Sequence, residues 1–308
     1  MSQLLESIFL GIVQGLTEFL PISSSAHLRI AGTFLNSAED PGARFTAITQ
    51  IGTELAVLIF FRKDIKRIIV AWFSQVLMRR DLPADQKSLA RMGWLIIVGS
   101  LPIGVLGYIG KDIIANDFRS LWLIASVMII FGLILGWADS YGKNLRGLED
   151  LNAKHGVLYG IAQSLALIPG VSRSGATIAM GRYLGYTREA ALRYSFLLAL
   201  PAVFGSGLYE LKDALSSSST NVFTLSQTLV ATVVAFVIGY AVIAWLLKFV
   251  TTKSFRPFII YRIVLGSCLL ILLAAGVINP SLLKCMIRTV STALPKSLAA
   301  RQSKTGSG

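Results

Sequence analysis

Three stretches of this chain, residues 120–138, 228–250 and 258–278, run for about 20 positions with almost no charge, the length a helix needs to cross a bilayer. Three shorter stretches, 45–61, 93–109 and 194–209, are nearly as apolar. All six read as membrane crossings. The composition agrees: 54% of the 308 residues are hydrophobic and 15% charged, against about 25% charged in a soluble domain. Such a surface suits lipid rather than water. Cys268 and Cys285 make no disulfide framework, and two histidines, His27 and His155, make no multi-histidine metal centre. Glu6 sits where a signal peptide would carry Lys or Arg, so the first apolar stretch is expected to be retained.

Two further apolar segments, 4–35 and 156–184, do not fit a plain crossing, because Pro, Gly and Ser interrupt each in the middle. Backbone broken at membrane depth must be buried in protein or line a wet cavity. Both are expected to be re-entrant helix–loop–helix hairpins.

The loops set the orientation. Residues 62–91 hold Arg62, Lys63, Lys66, Arg67, Arg79, Arg80, Lys87 and Arg91 against Asp64, Asp81 and Asp85. The positive-inside rule puts that loop in the cytoplasm. Alternation places 139–155, 182–193 and 248–262 there too, and 36–44, 110–119, 210–227 and both termini outside. Most of the +13 net charge, 29 basic residues against 16 acidic, is then a topology signal that calls for contact with membrane lipids and no nucleic acid. Within the first loop, 65–78 has helical apolar spacing and is either an interfacial helix or an ordinary connection. Residues 281–308, basic and without an acid, are expected to form a disordered tail beyond a single catalytic domain at 1–280.

An offset of 149 residues aligns the chain with itself. Gly11-Ile12-Val13-Gln14 matches Gly160-Ile161-Ala162-Gln163, Ser23-Ser24-Ser25-Ala26 matches Ser172-Arg173-Ser174-Gly175, and Arg44-Phe45 matches Arg193-Tyr194. Three crossings lie between the copies, so they have opposite orientation. The expected fold is an all-α integral membrane bundle of two inverted repeats, about 1–138 and 150–278, whose hairpins meet near the midplane.

Charged groups inside a bilayer are costly and mark function. In the first break, Gln14 and Glu18 are four apart on one helix face. Pro21 ends that helix, and Ser23, Ser24 and Ser25 supply hydroxyls where the next one begins. His27 follows Ser24 by three positions, which brings hydroxyl and imidazole within hydrogen-bond reach. In the second break, Gly170 allows close approach, Ser172, Ser174 and Thr177 offer hydroxyls, and Arg173 is a permanent fork of donors for phosphate oxygens. No Gly-Lys-Ser/Thr ending follows, so this is not a P-loop. Gln50 and Glu54 share another helix face; Glu54 either supports the site or faces a polar cavity. His155 is expected to be solvated at a loop edge.

At these two clusters the chain resembles the bacitracin-resistance family of undecaprenyl-diphosphate phosphatases. The motif (Glu/Gln)-Gly-x-Thr-Glu-Phe-Leu-Pro-(Val/Ile)-Ser-Ser-x-x-His is met from Gln14 to His27, and Pro-Gly-x-Ser-Arg-Ser-x-x-Thr from Pro169 to Thr177. The resemblance covers residues 1 to about 278. It implies an enzyme of the bacterial plasma membrane, open to the outer face, that releases inorganic phosphate from the C55 isoprenoid diphosphate and recycles the lipid carrier for peptidoglycan synthesis. Bacitracin then competes for the substrate rather than binding the protein. The resemblance also implies a divalent cation, Mg²⁺ or Ca²⁺. Position 14 is Gln where many relatives have Glu, which leaves Glu18 as the one carboxylate of the first motif, with Gln14 as a neutral second ligand. The expected roles are Glu18 for metal and catalysis, Ser24 as nucleophile with His27 as its base, Arg173 for transition-state charge, and Ser23, Ser25, Gln50, Gly170, Ser172, Ser174 and Thr177 for substrate. Direct attack by water remains open, as does a homo-oligomer. The rival reading is a transporter or flippase of a phosphorylated lipid or other anion.

Overall fold

Pro21 cannot continue a helix, and neither can Pro169-Gly170. The chain therefore breaks where the sequence says it must. In the computed structural model, which describes residues 2–35, 41–78, 81–110, 120–216 and 222–278, the first hairpin is α1 (Gln3–Thr17) and α2 (Ser24–Gly32). α3 (Gly42–Phe60), α4 (Arg62–Val76), α5 (Ala84–Ile109) and α6 (Leu121–Tyr141) follow. The second hairpin is α7 (Ala153–Ser164) and α8 (Arg173–Tyr183), followed by α9 (Arg188–Ser216), α10 (Leu225–Thr252) and α11 (Arg256–Ala274).

Five helices, α5, α6, α9, α10 and α11, are long and apolar enough to cross a membrane; α3 and α4, bent 77° at Phe61, add a sixth if the pair counts as one span. The six expected crossings all fall on these helices, with ends that differ: α5 and α9 start before their apolar stretches, while α11 ends at Ala274, four residues short of the expected 278. Their outer faces stay apolar. On α11 Ile260, Val264 and Ile271 are exposed, and on α10 Leu229, Val233 and Val237. Rows of exposed aliphatic side chains at helical spacing suit lipid contact, because in water they would form an aggregating stripe. This is a multi-pass membrane protein.

The 149-residue offset survives in the local geometry. Ser23 and Ser172 both adopt positive φ, 76° and 69°, and both cap the helix that follows. Each then pairs with the serine two positions on, Ser23 with Ser25 and Ser172 with Ser174, at 3.2 Å in both cases. Gly11 and Gly160 play the same part in the two halves. A Cβ on Gly11 would lie 2.6 Å from the Ala231 carbonyl oxygen of α10, and one on Gly160 2.6 Å from the Gly99 carbonyl oxygen of α5. Each hairpin thus packs its first helix against a long helix of the other half. The common core crosses between them, with Phe19 packed edge-on against Phe196 at 5.2 Å.

Two expectations are corrected. His155 is not solvated: it is buried, and its Nδ1 lies 2.8 Å from the Tyr186 hydroxyl. Arg262, counted with a cytoplasmic loop, lies well inside α11 and is 0% exposed. Residues 281–308 lie outside the described residues, as do parts of the expected outer loops.

Candidate active site

Helix α1 carries Gln14 and Glu18 down one face to the first break. Phe19, buried against Phe196, anchors the turn and fixes where Glu18 points. Glu18 is the hub. Its Oε2 accepts from Gln14 Nε2 at 2.7 Å and from the Ser24 hydroxyl at 2.5 Å. Its Oε1 accepts from Arg173 Nη2 at 2.8 Å. Gln50 Nε2, arriving from α3, lies 3.4 Å from both oxygens. Arg173 Nη2 also donates to Glu54 Oε1 at 2.6 Å. Glu54 thus joins Glu18 on the Arg173 guanidinium.

Ser24 and Arg173 are related by the 149-residue offset, and each is the first residue of its helix. Glu18 bridges them. Two helix N-termini thus converge on one carboxylate. The first turn of each leaves N–H groups unused within the helix and a partial positive charge, which together favour an anion. The positive φ of Ser23 and Ser172 is strain of about 1–3 kcal/mol each, which accumulates where a fold must aim a functional group.

His27 does not hydrogen-bond to Ser24 as expected. Its Nδ1 lies 2.7 Å from the Ser23 carbonyl oxygen, which can only accept, so Nδ1 carries the proton. Its Nε2 meets the Tyr261 hydroxyl at 2.7 Å, with the two rings stacked at 5.5 Å. The histidine holds the Ser23 turn, and the acceptor at the Ser24 hydroxyl is Glu18. The reason lies in the turn: its left-handed backbone swings Ser24 toward α1 rather than along its own helix.

Several expected substrate ligands are committed elsewhere. The Thr177 hydroxyl is fully buried, donates to the Arg173 carbonyl at 2.8 Å, and lies 2.5 Å from the Ser195 hydroxyl. Ser174 donates to the Leu20 carbonyl at 3.2 Å, tying one break to the other. Gly170 gives its carbonyl to Arg262. These three build the cradle; Ser24 and Arg173 face into it, and Ser23, Ser25 and Ser172 shape its two rims.

Sequence reasoning missed Arg262. Its Nε donates to the Met128 carbonyl at 3.1 Å, Nη1 to Pro21 at 3.0 Å and Val171 at 3.1 Å, and Nη2 to Gly170 at 2.8 Å. One side chain thus holds backbone carbonyls from both breaks. The signal was in the sequence: Pro257 marks a helix start, which puts Arg262 almost two turns inside. Replacing Arg262 by Met keeps the bulk and strands the three loop carbonyls of Pro21, Gly170 and Val171, each costing about 1–3 kcal/mol. The expected result is a markedly lower melting temperature in detergent together with lost activity. An unchanged melting curve would dismiss the staple.

Three buried polar atoms of the site have no partner among the described residues: Arg173 Nη1, Gln14 Oε1 and Glu54 Oε2. Buried groups of this kind are normally satisfied, and orphans call for a ligand. Arg173 Nη1 is a free donor, suited to a phosphate oxygen. The other two are oxygen acceptors, the donor type that Mg²⁺ and Ca²⁺ take. Among the described residues no group of three or more His, Cys, Asp or Glu comes together, so a cation here would rest on an amide oxygen beside carboxylates.

The bacitracin resistance protein BacA family model matches residues 7–268. The chain belongs to that family. Its relatives include the undecaprenyl-diphosphatase of Micrococcus luteus, 60% identical over 276 residues, covering 89% of this chain and 99% of the relative. The undecaprenyl-diphosphatase of Pseudarthrobacter chlorophenolicus is 58% identical over 275 residues, 89% of this chain and 98% of its own length. Undecaprenyl-diphosphatase 2 of Agrobacterium fabrum is 57% identical, with 89% and 97% covered. The matched region contains both breaks and every residue of the site.

Proposed function

We propose that this protein is an undecaprenyl-diphosphatase that hydrolyses the C55 isoprenoid diphosphate to the monophosphate and inorganic phosphate. The observation that carries this reading is the meeting of a hydroxyl and a guanidinium on one buried carboxylate: Ser24 at 2.5 Å and Arg173 at 2.8 Å from Glu18. A nucleophile, a proton acceptor and a phosphate-binding fork are what a phosphoryl transfer asks of a protein.

The terminal phosphate enters between the N-termini of α2 and α8. Arg173 Nη1 and the free N–H groups of the first helical turns bind its oxygens and hold the phosphorus in line with Ser24. The Ser24 oxygen attacks, its proton passes to Glu18 Oε2, and the bridging P–O bond breaks with the polyprenyl phosphate as leaving group. Water then attacks the phosphoserine, and inorganic phosphate departs as the serine regains a proton. Glu54 and Gln50 keep Arg173 and Glu18 in place.

The site without substrate holds Arg173 against Glu18 and Glu54, one positive charge against two negative. A diphosphate adds more negative charge, so a cation balances the complex. Gln14, Glu18 and Glu54 would hold it. When bound, Mg²⁺ or Ca²⁺ neutralises phosphate charge and polarises the phosphoryl group.

The two hairpins are read as inverted copies, with the site open to the outer face and both termini outside. The experiment is phosphate release from a prenyl diphosphate by detergent-solubilised protein, with and without chelator. Release that stops with EDTA and returns with Mg²⁺ or Ca²⁺ supports the reading. Movement of phosphorylated lipid across vesicles without phosphate release would favour a transporter instead.

A further inference from the structure

Helix α8 has chemistry at both ends. Arg173 opens it in the site; Arg182 lies nine residues on, about 14 Å away at 1.5 Å per residue. There a cavity of about 390 Å³ is lined by Asp139, Asn144, Arg182, Arg188, Ser254 and Arg256. Three guanidiniums surround one carboxylate. Arg182 is fully spent: it donates to Asp139 Oδ1 at 2.9 Å, Asn144 at 2.6 Å, the Asp139 and Gly142 carbonyls at 3.1 and 2.9 Å, and the Tyr186 carbonyl. Arg188 uses Nε and Nη2 on Asp139, at 2.8 and 3.1 Å, and leaves Nη1 over. Arg256 is exposed, and its guanidinium has no partner among the described residues. The cavity thus carries a net charge of +2 and open donors on two arginines from two helices.

At the same height along α6 and α8, outside the cavity lining, stands an aromatic triad. Trp137, Tyr141 and Tyr183 stack on one another at 5.4–5.7 Å and are 58%, 55% and 47% exposed. Exposed, mutually stacked Trp and Tyr on a membrane protein mark the level of the lipid headgroups. Trp137 and Tyr141 flank Asp139 on α6, and Tyr183 follows Arg182 on α8. The cavity therefore lies at the level of the lipid phosphates.

We propose that this cavity binds the phosphate of an anionic phospholipid, held by Arg188 and Arg256 at headgroup level. Basic pockets between transmembrane helices at headgroup level are suited to such lipids, and arginine is the side chain fitted to forked phosphate contacts. Zwitterionic lipid brings its own cation into a cavity already at +2 and is disfavoured.

The test is native mass spectrometry of the full-length protein in detergent with phosphatidylglycerol, phosphatidylcholine or a prenyl monophosphate, paired with melting curves. Wild type is expected to retain phosphatidylglycerol at least tenfold better than phosphatidylcholine and to melt higher in its presence. Arg256→Gln is expected to lose both effects with phosphate release from prenyl diphosphate unchanged, and Arg188→Gln to behave alike. Arg256→Gln alone decides if Arg188→Gln, which breaks an ion pair, fails to fold. Equal retention of the two phospholipids, or undiminished phosphatidylglycerol binding by Arg256→Gln, overturns the proposal. Selective retention of prenyl monophosphate in place of phosphatidylglycerol overturns it too.

Discussion

Arg173→Lys releases phosphate about 100- to 1000-fold more slowly than wild type while folding normally. The lysine keeps a positive charge between Glu18 and Glu54, so the buried carboxylates remain compensated. It offers one point of contact where the guanidinium spans two carboxylates with Nη2 and still presents Nη1 to a ligand. A transition-state donor of this kind is worth about 10²–10³ in rate. Arg173→Ala loses more, about 10³–10⁵, as when an arginine finger is withdrawn from a phosphoryl transfer. It also strands two carboxylates, one 2% and the other 0% exposed. Removing one partner of such a pair costs about 3–5 kcal/mol, so Arg173→Ala is expected to melt early. Adding Glu54→Gln to it removes one stranded charge and should recover part of the stability with none of the activity. That split between melting curve and turnover distinguishes chemistry from architecture. Near-normal turnover in Arg173→Lys would remove Arg173 from the mechanism.

The second large effect concerns the carboxylate that joins the two halves. Glu18→Gln keeps the shape and removes the proton acceptor, and is expected to lower turnover by about 10²–10⁴, the usual worth of a general base. Ser24→Ala is expected to fall at least as far, and rapid acid quenching of wild type should trap phosphate on Ser24. Full activity in Ser24→Ala would establish direct attack by water, leaving Glu18 to activate that water. His27→Gln is informative beside them. Its ring supports the Ser23 turn through a backbone contact, so a smaller loss than for Glu18→Gln is expected; an equal loss would restore His27 to proton transfer.

The parts of the site that were legible in the sequence are those that local chemistry dictates. Pro21 and Pro169-Gly170 break helices wherever they occur, and an i, i+4 pair such as Gln14 and Glu18 shares a face in any helix. Charge buried among apolar residues singled out Arg173. What the sequence hid depends on which helices become neighbours. Glu54 looked ambiguous because its partner is 119 residues away. The Ser24–His27 spacing suggested a pair, and the positive φ of Ser23 redirected the hydroxyl to Glu18. Arg262 follows Arg256 closely and was counted with the basic loop, although Pro257 already announced the helix that buries it. The repeat is partial in the same instructive way. Gln163 occupies the position equivalent to Gln14, yet it is buried with neither amide atom partnered among the described residues, and Leu167 stands where Glu18 would. One half carries the acid and the other the arginine, so each needs its counterpart.

The clamp that Arg262 places on Pro21, Gly170 and Val171 also sets a schedule. Synthesis runs from the N-terminus, so both breaks leave the ribosome before the residue that fastens them does. Until α11 is made and inserted, the Pro21, Gly170 and Val171 carbonyls lack the donor that joins them, and the Ser23 and Ser172 turns lack the clamp between them. Assembly of the reaction centre is then among the last events in the birth of the molecule. A nascent chain stopped before residue 262 would sit in the bilayer with its signature motifs complete and remain inert.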